Sequence, residues 1–564
     1  MIRLTRRFVV IIGLLLITCT LPLANSQAAE PLLPAAGIAT AHPLATDAGH
    51  EILQAGGNAF DAAVAITATL AVVEPMSSGL GGGGFWLLHR EEDQYQIMID
   101  GRETAPQAAH RDMYLDSKGE VIADLSIDGP LAAGIPGIPA AMVHIAEKYG
   151  NLSLQQNLAP AIRHAENGFA VDNYYKRMAT FRLKAIQASP AAAAVLLQNN
   201  DPPEVGFVVK QPDLANTLKT LASQGFDGFY KGEIAQKLVE GVKAAKGIWS
   251  IEDLANYKVL EREPMRGKYH GMHIISAAPP SSGGVALLTI LNILSAYSLE
   301  SLDKVQRTHF VVEAMRRAYR DRAIYLGDPD FVEVPTFQLL HTYYAAGLRA
   351  SIHPDKATPS TALPGVEMPP QGKDTTHFSV IDKQGNRVAA TLTINYPFGS
   401  GFMPPGTGVL LNDEMDDFSA KPGTPNAYGL VGAEANAIAP GKRPLSSMSP
   451  TFIEDERGVA VLGTPGGSRI ITMVLLAILD YADGGTPQSM VSLPRYHHQY
   501  LPDVIQFEEG AFSDGDMRLL QAKGHSFEQT RWPYGNMQAV VWQRQENKVL
   551  AASDPRVIGK AEVK

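Results

Sequence analysis

The sequence predicts an α+β fold in which helices dominate the first two thirds of the chain and strands the last third. Apolar residues recur at helical spacing over 141–150 and 305–326, whereas beyond 374 β-branched residues take over and alternate cleanly from Val388 to Ile394. The chain has 564 residues, 45% hydrophobic and 19% charged, enough to bury one large core or two subdomains. Gly and Pro only slightly exceed average usage and show no G-x-y period, which excludes collagen-like and low-complexity classes.

Residues 1–29 have the layout of a secretory signal: Arg3, Arg6 and Arg7, an apolar run from Phe8 to Ile17, then small residues around Ala24 to Ala29. The run is short for a bilayer span, so a cleaved signal is expected rather than a retained anchor or a lipid on Cys19. Cys19 is the single cysteine, so the exported chain has no disulfide and no thiolate nucleophile. The net charge is −10, from 58 acidic and 48 basic residues, with no basic block outside the first seven positions, which argues against nucleic-acid binding.

Residues 43–75 read as mostly helical and apolar. The run Ser77-Ser78-Gly79-Leu80-Gly81-Gly82-Gly83-Gly84 then leads into strand-like Phe85-Trp86 with no lysine after it, so close backbone packing is expected rather than a phosphate loop. Arg316, Arg317, Arg320 and Arg322 read as a solvated helix face paired with carboxylates such as Asp321 and Asp328. Residues 363–373 are polar and irregular, an exposed linker. The adjacent His497 and His498 have poor spacing for one metal and read as structural.

Directly after that linker, Asp374-Thr375-Thr376-His377-Phe378-Ser379-Val380-Ile381 opens a strand, Lys383-Gln384-Gly385-Asn386 turns, and 388–394 returns as the second arm of a hairpin. With the turn centred between Gln384 and Gly385, Thr375 faces the neighbourhood of 393–395, where Thr393 and Asn395 share the polar side. A threonine-rich sheet is the plain reading of this pattern. Its position suggests more, because a threonine that opens a strand after an exposed loop can attack the preceding carbonyl and free its own amine. That amine, with an ordinary pKa of about 7.7–8.0, would serve as the base for the hydroxyl. No G-x-S-x-G elbow supports a Ser-His-Asp alternative.

Several long motifs, in order, resemble the gamma-glutamyltranspeptidase family. They are Asp374-Thr375-Thr376-His377-Phe378-Ser379-Val380, Leu410-Leu411-Asn412-Asp413-Glu414-Met415-Asp416-Asp417-Phe418, Lys442-Arg443-Pro444-Leu445-Ser446-Ser447-Met448-Ser449-Pro450 and Thr464-Pro465-Gly466-Gly467-Ser468-Arg469. Gly56-Gly57-Asn58-Ala59, Gly101-Arg102-Glu103 and Pro279-Pro280-Ser281-Ser282-Gly283-Gly284 extend the match over nearly the whole mature chain. The resemblance implies an N-terminal-nucleophile hydrolase, a four-layer αββα sandwich made as one precursor. Self-cleavage between Asp374 and Thr375 would yield a large subunit, 30–374, and a small catalytic subunit, 375–564, that stay together as a heterodimer. The implied enzyme takes the γ-glutamyl group of glutathione and related amides onto Thr375 and passes it to water or to amino-acid or peptide acceptors. Neither cofactor nor metal nor a membrane span in the mature protein is expected, and export places it in the periplasm or the medium.

The same resemblance implies the roles of individual residues. Arg102 would clamp the substrate α-carboxylate, with Ser446 and Ser447 adding hydroxyl contacts. Asn395, Glu414 and Asp417 would receive the α-ammonium. The N–H groups of Gly466 and Gly467 would hold the oxyanion, and Thr393 would hydrogen-bond Thr375. The segment 422–432, with Tyr428, would form a lid. Without the resemblance, 413–417 would read as a solvated acidic loop and Arg102 as a structural ion pair. Tyr396 and Pro397 depart from the family pattern and bear on the shape of the leaving-group side. A glutaryl acylase on the same scaffold is the nearest rival, and an inactive binding protein the more distant one. A glutaryl group lacks the ammonium that would neutralise Glu414 and Asp417.

Overall fold

The computed structural model describes residues 33–363, 374–419, 421 and 434–564. The expected signal segment, the linker residues 364–373 and the lid residue Tyr428 lie outside the described residues. Among those described, no helix is long and apolar enough to cross a membrane.

Local sequence explains the first helical layer. Asn58 caps the helix Ala59–Val73 by accepting from the amides of Phe60 and Asp61, while the Asp61 carboxylate accepts from the Asn58 amide at 3.0 Å. Gly56, at φ +93°, makes the preceding turn. Every residue of this helix is buried, as a helix apolar on all sides must be. It lies between the first sheet and the helices Pro43–Gln54, Ile138–Tyr149 and Leu154–Asn167.

That first sheet has seven strands, running edge to edge Lys560–Val563, Gly37–Thr40, Thr376–Ile381, Arg387–Thr393, Gly83–Arg90, Tyr95–Gly101 and Leu260–Arg262. A second sheet of six strands, Lys548–Ser553, Gln538–Gln543, Gly458–Gly463, Thr451–Glu454, Met272–Ser276 and Met265–Tyr269, packs against its inner face. The helices Gly283–Leu294 and Arg469–Ala482 cover the far side of the second sheet. The expected αββα sandwich is therefore the observed architecture. Strands from both sides of the 374–375 bond are interleaved in the first sheet, with Gly37–Thr40 hydrogen-bonded between Lys560–Val563 and Thr376–Ile381.

The hairpin forms, but its turn centres on Gln384 rather than between Gln384 and Gly385, so the register differs by one from the expected one: Ile381 pairs with Arg387 and Thr376 with Leu392. The glycine run serves close backbone packing. A Cβ on Gly81 would lie 2.1 Å from the Leu410 carbonyl oxygen, and one on Gly82 would lie 2.1 Å from that of Thr393. Gly82 thus lets the end of the Arg387–Thr393 strand close on the chain leading into Gly83–Arg90, and Gly81 lets the 410–411 segment do the same.

The arginine expectation is corrected in part. Arg316, Arg317 and Arg322 are buried, because the helix Lys304–Tyr325 packs beneath other chain segments rather than facing water. Arg316 and Arg317 share the buried Glu313, and Arg320 pairs with Asp321 at 2.8 Å, whereas Asp328 is near Arg262 and accepts from the Arg443 amide. His497 hydrogen-bonds Thr472 and Gln499, and His498 meets Asp503 at 3.2 Å, both in structural roles.

Candidate active site

Thr375 stands one residue before its strand begins, with its hydroxyl 2.6 Å from the carbonyl oxygen of Asp374. The Thr393 hydroxyl, at the end of the facing strand, donates to the same oxygen at 3.1 Å and lies 3.5 Å from the Thr375 hydroxyl. Thr393 is held in turn by the Asn395 amide, which donates to it at 2.8 Å. Asn395 adopts φ +77°, a left-handed conformation that asparagine tolerates better than most residues, and this turns the chain away from the ladder. Its side-chain Nδ2 donates to the Asp413 carbonyl at 3.0 Å.

Thr375 lies at the junction of two cavities. The smaller, about 20 Å³, is lined by Arg102, Thr375, Thr393, Asn395, Glu414, Asp417, Ser446, Ser447 and Gly467. Nine of the expected site residues, drawn from segments hundreds of positions apart, thus meet in one place. Gly466 lines the larger cavity, about 570 Å³, together with Thr375, Asp374, Tyr396 and Pro397. The two unexpected residues Tyr396 and Pro397 accordingly fall on the side away from the acidic pocket.

The acidic stretch is a buried 3₁₀ turn, Glu414–Asp417, rather than a solvated loop. Arg102 donates to Glu414 and, at 2.5 Å, to Asp417; it also touches Glu103 at 3.4 Å and donates to the Pro444 carbonyl at 3.2 Å. Three carboxylates therefore surround one buried guanidinium. Burial pushes Glu414 up to about 8 against the pull of Arg102, and pushes Glu103 well above the usual carboxylate range. One oxygen of each, Oε2 of Glu414 and Oε1 of Glu103, has no hydrogen-bond partner. Such a site is matched to a positively charged group.

Gly466 and Gly467 precede the helix Arg469–Ala482 with φ of +137° and +58°, a pair of conformations that glycine alone adopts cheaply. Among the described residues neither amide donates to a protein acceptor. Two adjacent N–H groups beside a hydroxyl and at a helix N-terminus can stabilise a developing oxyanion.

Sequence reasoning placed Asp374 at the cleavage site but missed its buried surroundings and its acidic neighbour Glu74. Asp374 Oδ1 accepts from Tyr174 at 2.7 Å and from Ser77 at 3.3 Å, and burial raises Asp374 to about 7. Glu74, which shares the larger cavity with it, is raised to about 8, first by burial and further by the charge of Asp374. A lone glutamate closing an apolar helix at Glu74-Pro75 was the available signal.

Comparison with known proteins gives a consistent result. The profile of the family described as Gamma-glutamyltranspeptidase matches residues 45–563. The chain is 46% identical over 496 residues, 87% of this chain and 86% of the relative, to a glutathione hydrolase proenzyme of Pseudomonas sp. (strain A14). It is 42% identical over 530 residues, 92% and 90% of the two chains, to a glutathione hydrolase proenzyme of Escherichia coli (strain K12). Among solved structures, the cephalosporin acylase from Bacillus halodurans superposes with a TM-score of 0.82 at 27% identity, covering 94% of this chain and 96% of that one.

Proposed function

The chain belongs to the gamma-glutamyltranspeptidase family, and from that premise we propose that it is a self-processing γ-glutamyl transferase and hydrolase whose nucleophile is Thr375. The observation that carries the reading is that one hydroxyl touches the carbonyl of its own preceding peptide bond and also lies between an acidic pocket and an open cleft.

In the precursor, the Thr375 oxygen attacks the Asp374 carbonyl carbon while Thr393 holds the carbonyl oxygen. The C–N bond breaks as the hydroxyl proton passes to the Thr375 nitrogen, so the amide becomes an ester beside a free amine, and water hydrolyses that ester to the Asp374 carboxylate and the Thr375 hydroxyl. The products are a large subunit, 30–374, and a small subunit, 375–564, held together by their interleaved strands as a heterodimer. In the mature enzyme the new Thr375 amine takes the hydroxyl proton, and the oxygen attacks the γ-amide carbonyl of glutathione or a related compound. Gly466 and Gly467 hold the oxyanion, the departing amine takes the proton, and a γ-glutamyl ester remains. Water or the amine of an amino acid or peptide then releases the glutamyl group.

Arg102, Glu414 and Asp417 support a zwitterionic donor. The α-carboxylate would take the guanidinium with help from Ser446 and Ser447, and the α-ammonium would take the carboxylates with help from Asn395. One internal set of ion pairs is exchanged for another, which avoids leaving a buried charge alone. Tyr428 would belong to a lid over the ester. The N-terminal segment supports export to the periplasm. A glutaryl acylase is the second reading, favoured by the likeness to a cephalosporin acylase; the three carboxylates around Arg102 weigh against it.

The test is the intact mass of purified wild type beside Thr375→Ala. Two fragments meeting at 374 and 375 in the wild type, one chain in the variant, and glutamate release by the wild type alone are expected. A Thr375→Ala protein that still split and still released glutamate would remove Thr375 from its role.

A further inference from the structure

The loop 279–284 and the long arginine-bearing helix have no part in the steps above, yet they meet directly behind the small cavity. Ser281 donates its hydroxyl to the Met448 carbonyl at 2.6 Å. Ser282 donates to the Ser446 carbonyl twice, from its amide at 2.8 Å and its hydroxyl at 2.7 Å. The stretch that carries Ser446 and Ser447 is therefore held from beneath by side chains that do not reach the cavity. Arg322 joins the two layers: its Nε donates to Ser282 Oγ at 2.8 Å and its Nη2 to Ser447 Oγ at 3.1 Å.

Arg322 differs from the other buried arginines of its helix. Arg316 and Arg317 both pair with Glu313, but no carboxylate of the described residues lies within 4.0 Å of the Arg322 guanidinium. Asp417, in the cavity, is the carboxylate whose field it feels. Although burial lowers it to about 10, Arg322 remains protonated at neutral pH.

We propose that Arg322 is a positioning residue that commits the Ser447 hydroxyl to donating toward the α-carboxylate of a γ-glutamyl donor, and that its buried charge contributes to selecting that carboxylate. A guanidinium has only donors, so Ser447 Oγ must accept from it. The hydrogen of Ser447 is then left for the cavity that Ser447 lines with Arg102 and Thr375. A monopole held in a poorly screened interior also favours an anion over a neutral group at the same point. The inference rests on the γ-glutamyl reading above and assigns the second positive charge of that subsite.

The experiment compares wild type, Arg322→Gln, Ser447→Ala and the double variant on two substrates. γ-Glutamyl-p-nitroanilide carries the α-carboxylate, and 4-aminobutyryl-p-nitroanilide lacks only that group. Arg322→Gln is expected to raise KM for the first about tenfold or more, as loss of a charge-assisted contact does. Its kcat should stay within a few-fold, and kcat/KM for the second substrate within about twofold. The double variant should be no worse than the poorer single variant, because both break one contact. Equal losses on both substrates, or additive single effects, would overturn the role. Should Arg322→Gln fail to fold, Ser447→Ala reads the same contact from the cavity side, and a loss blind to the α-carboxylate overturns the proposal equally. A wild type inert toward the γ-glutamyl anilide would instead defeat the γ-glutamyl reading, and this role with it.

Discussion

The Thr393 hydroxyl donates to the carbonyl oxygen of Asp374 at 3.1 Å, so the peptide bond that Thr375 would break already carries a hydrogen bond on the oxygen that gains charge. That placement follows from the hairpin: the ladder ends at Thr376 opposite Leu392, and the next residues on each arm are Thr375 and Thr393.

Removing that donor should slow maturation. Loss of one oxyanion donor costs about 10²–10³ in rate in well-studied enzymes, so Thr393→Ala is expected to convert precursor to two chains about a hundredfold more slowly, and Thr393→Ser within a few-fold of wild type. A time course of intact masses after purification checks this; conversion of Thr393→Ala at the wild-type rate would contradict it.

The junction should also make the precursor pH-sensitive. Asp374 and Glu74 are raised to about 7 and about 8 when folded, against ordinary values of about 3.9 and 4.3. Between those limits these two groups bind more protons in the folded state than in the unfolded one, so their contribution to stability is greatest in acid and is lost as pH rises through 7 and 8. In an unprocessed Thr375→Ala background, adding Asp374→Asn should flatten the fall in denaturation midpoint between pH 5 and pH 8. Equal slopes in the two proteins would show that Asp374 titrates normally.

Substrate choice should turn on Asp417. Its carboxylate shares Arg102 with Glu414, and an ammonium bound there would make charge-assisted hydrogen bonds worth about 1.5–3 kcal/mol each. Asp417→Asn is expected to lower kcat/KM for a γ-glutamyl anilide by about 10- to 100-fold and to leave a glutaryl anilide unchanged or improved. Parallel losses on both anilides would mean that Asp417 does not face an ammonium.

Gly82 should tolerate no side chain. A Cβ there would lie 2.1 Å from the Thr393 carbonyl oxygen and 2.7 Å from Ile394 Cγ2, so Gly82→Ala must push the Thr393 strand end outward. Overpacking of this kind costs about 1–3 kcal/mol. Both a lower melting temperature and slower maturation are expected, whereas Gly119→Ala, a position with open space but φ +77°, should disturb stability alone.

Period and turn chemistry made the hairpin, the helices flanking it and the packing role of the glycine run legible, because each depends on neighbours a few residues away. The contact of the Thr375 hydroxyl with the carbonyl before it was legible for the same reason: both groups belong to one short segment. The environments of Arg322, Glu74 and Asp374 were not. Nothing local distinguishes an arginine on a solvated helix from one buried beneath Ser447, and nothing local shows that Glu74 and Asp374, 300 positions apart, share one cavity. Sequence by itself determined the elements and the hairpin end that carries Thr375. Tertiary structure decided the dielectric around each charge and the partners left to it, because burial and distance exist only once remote segments have packed.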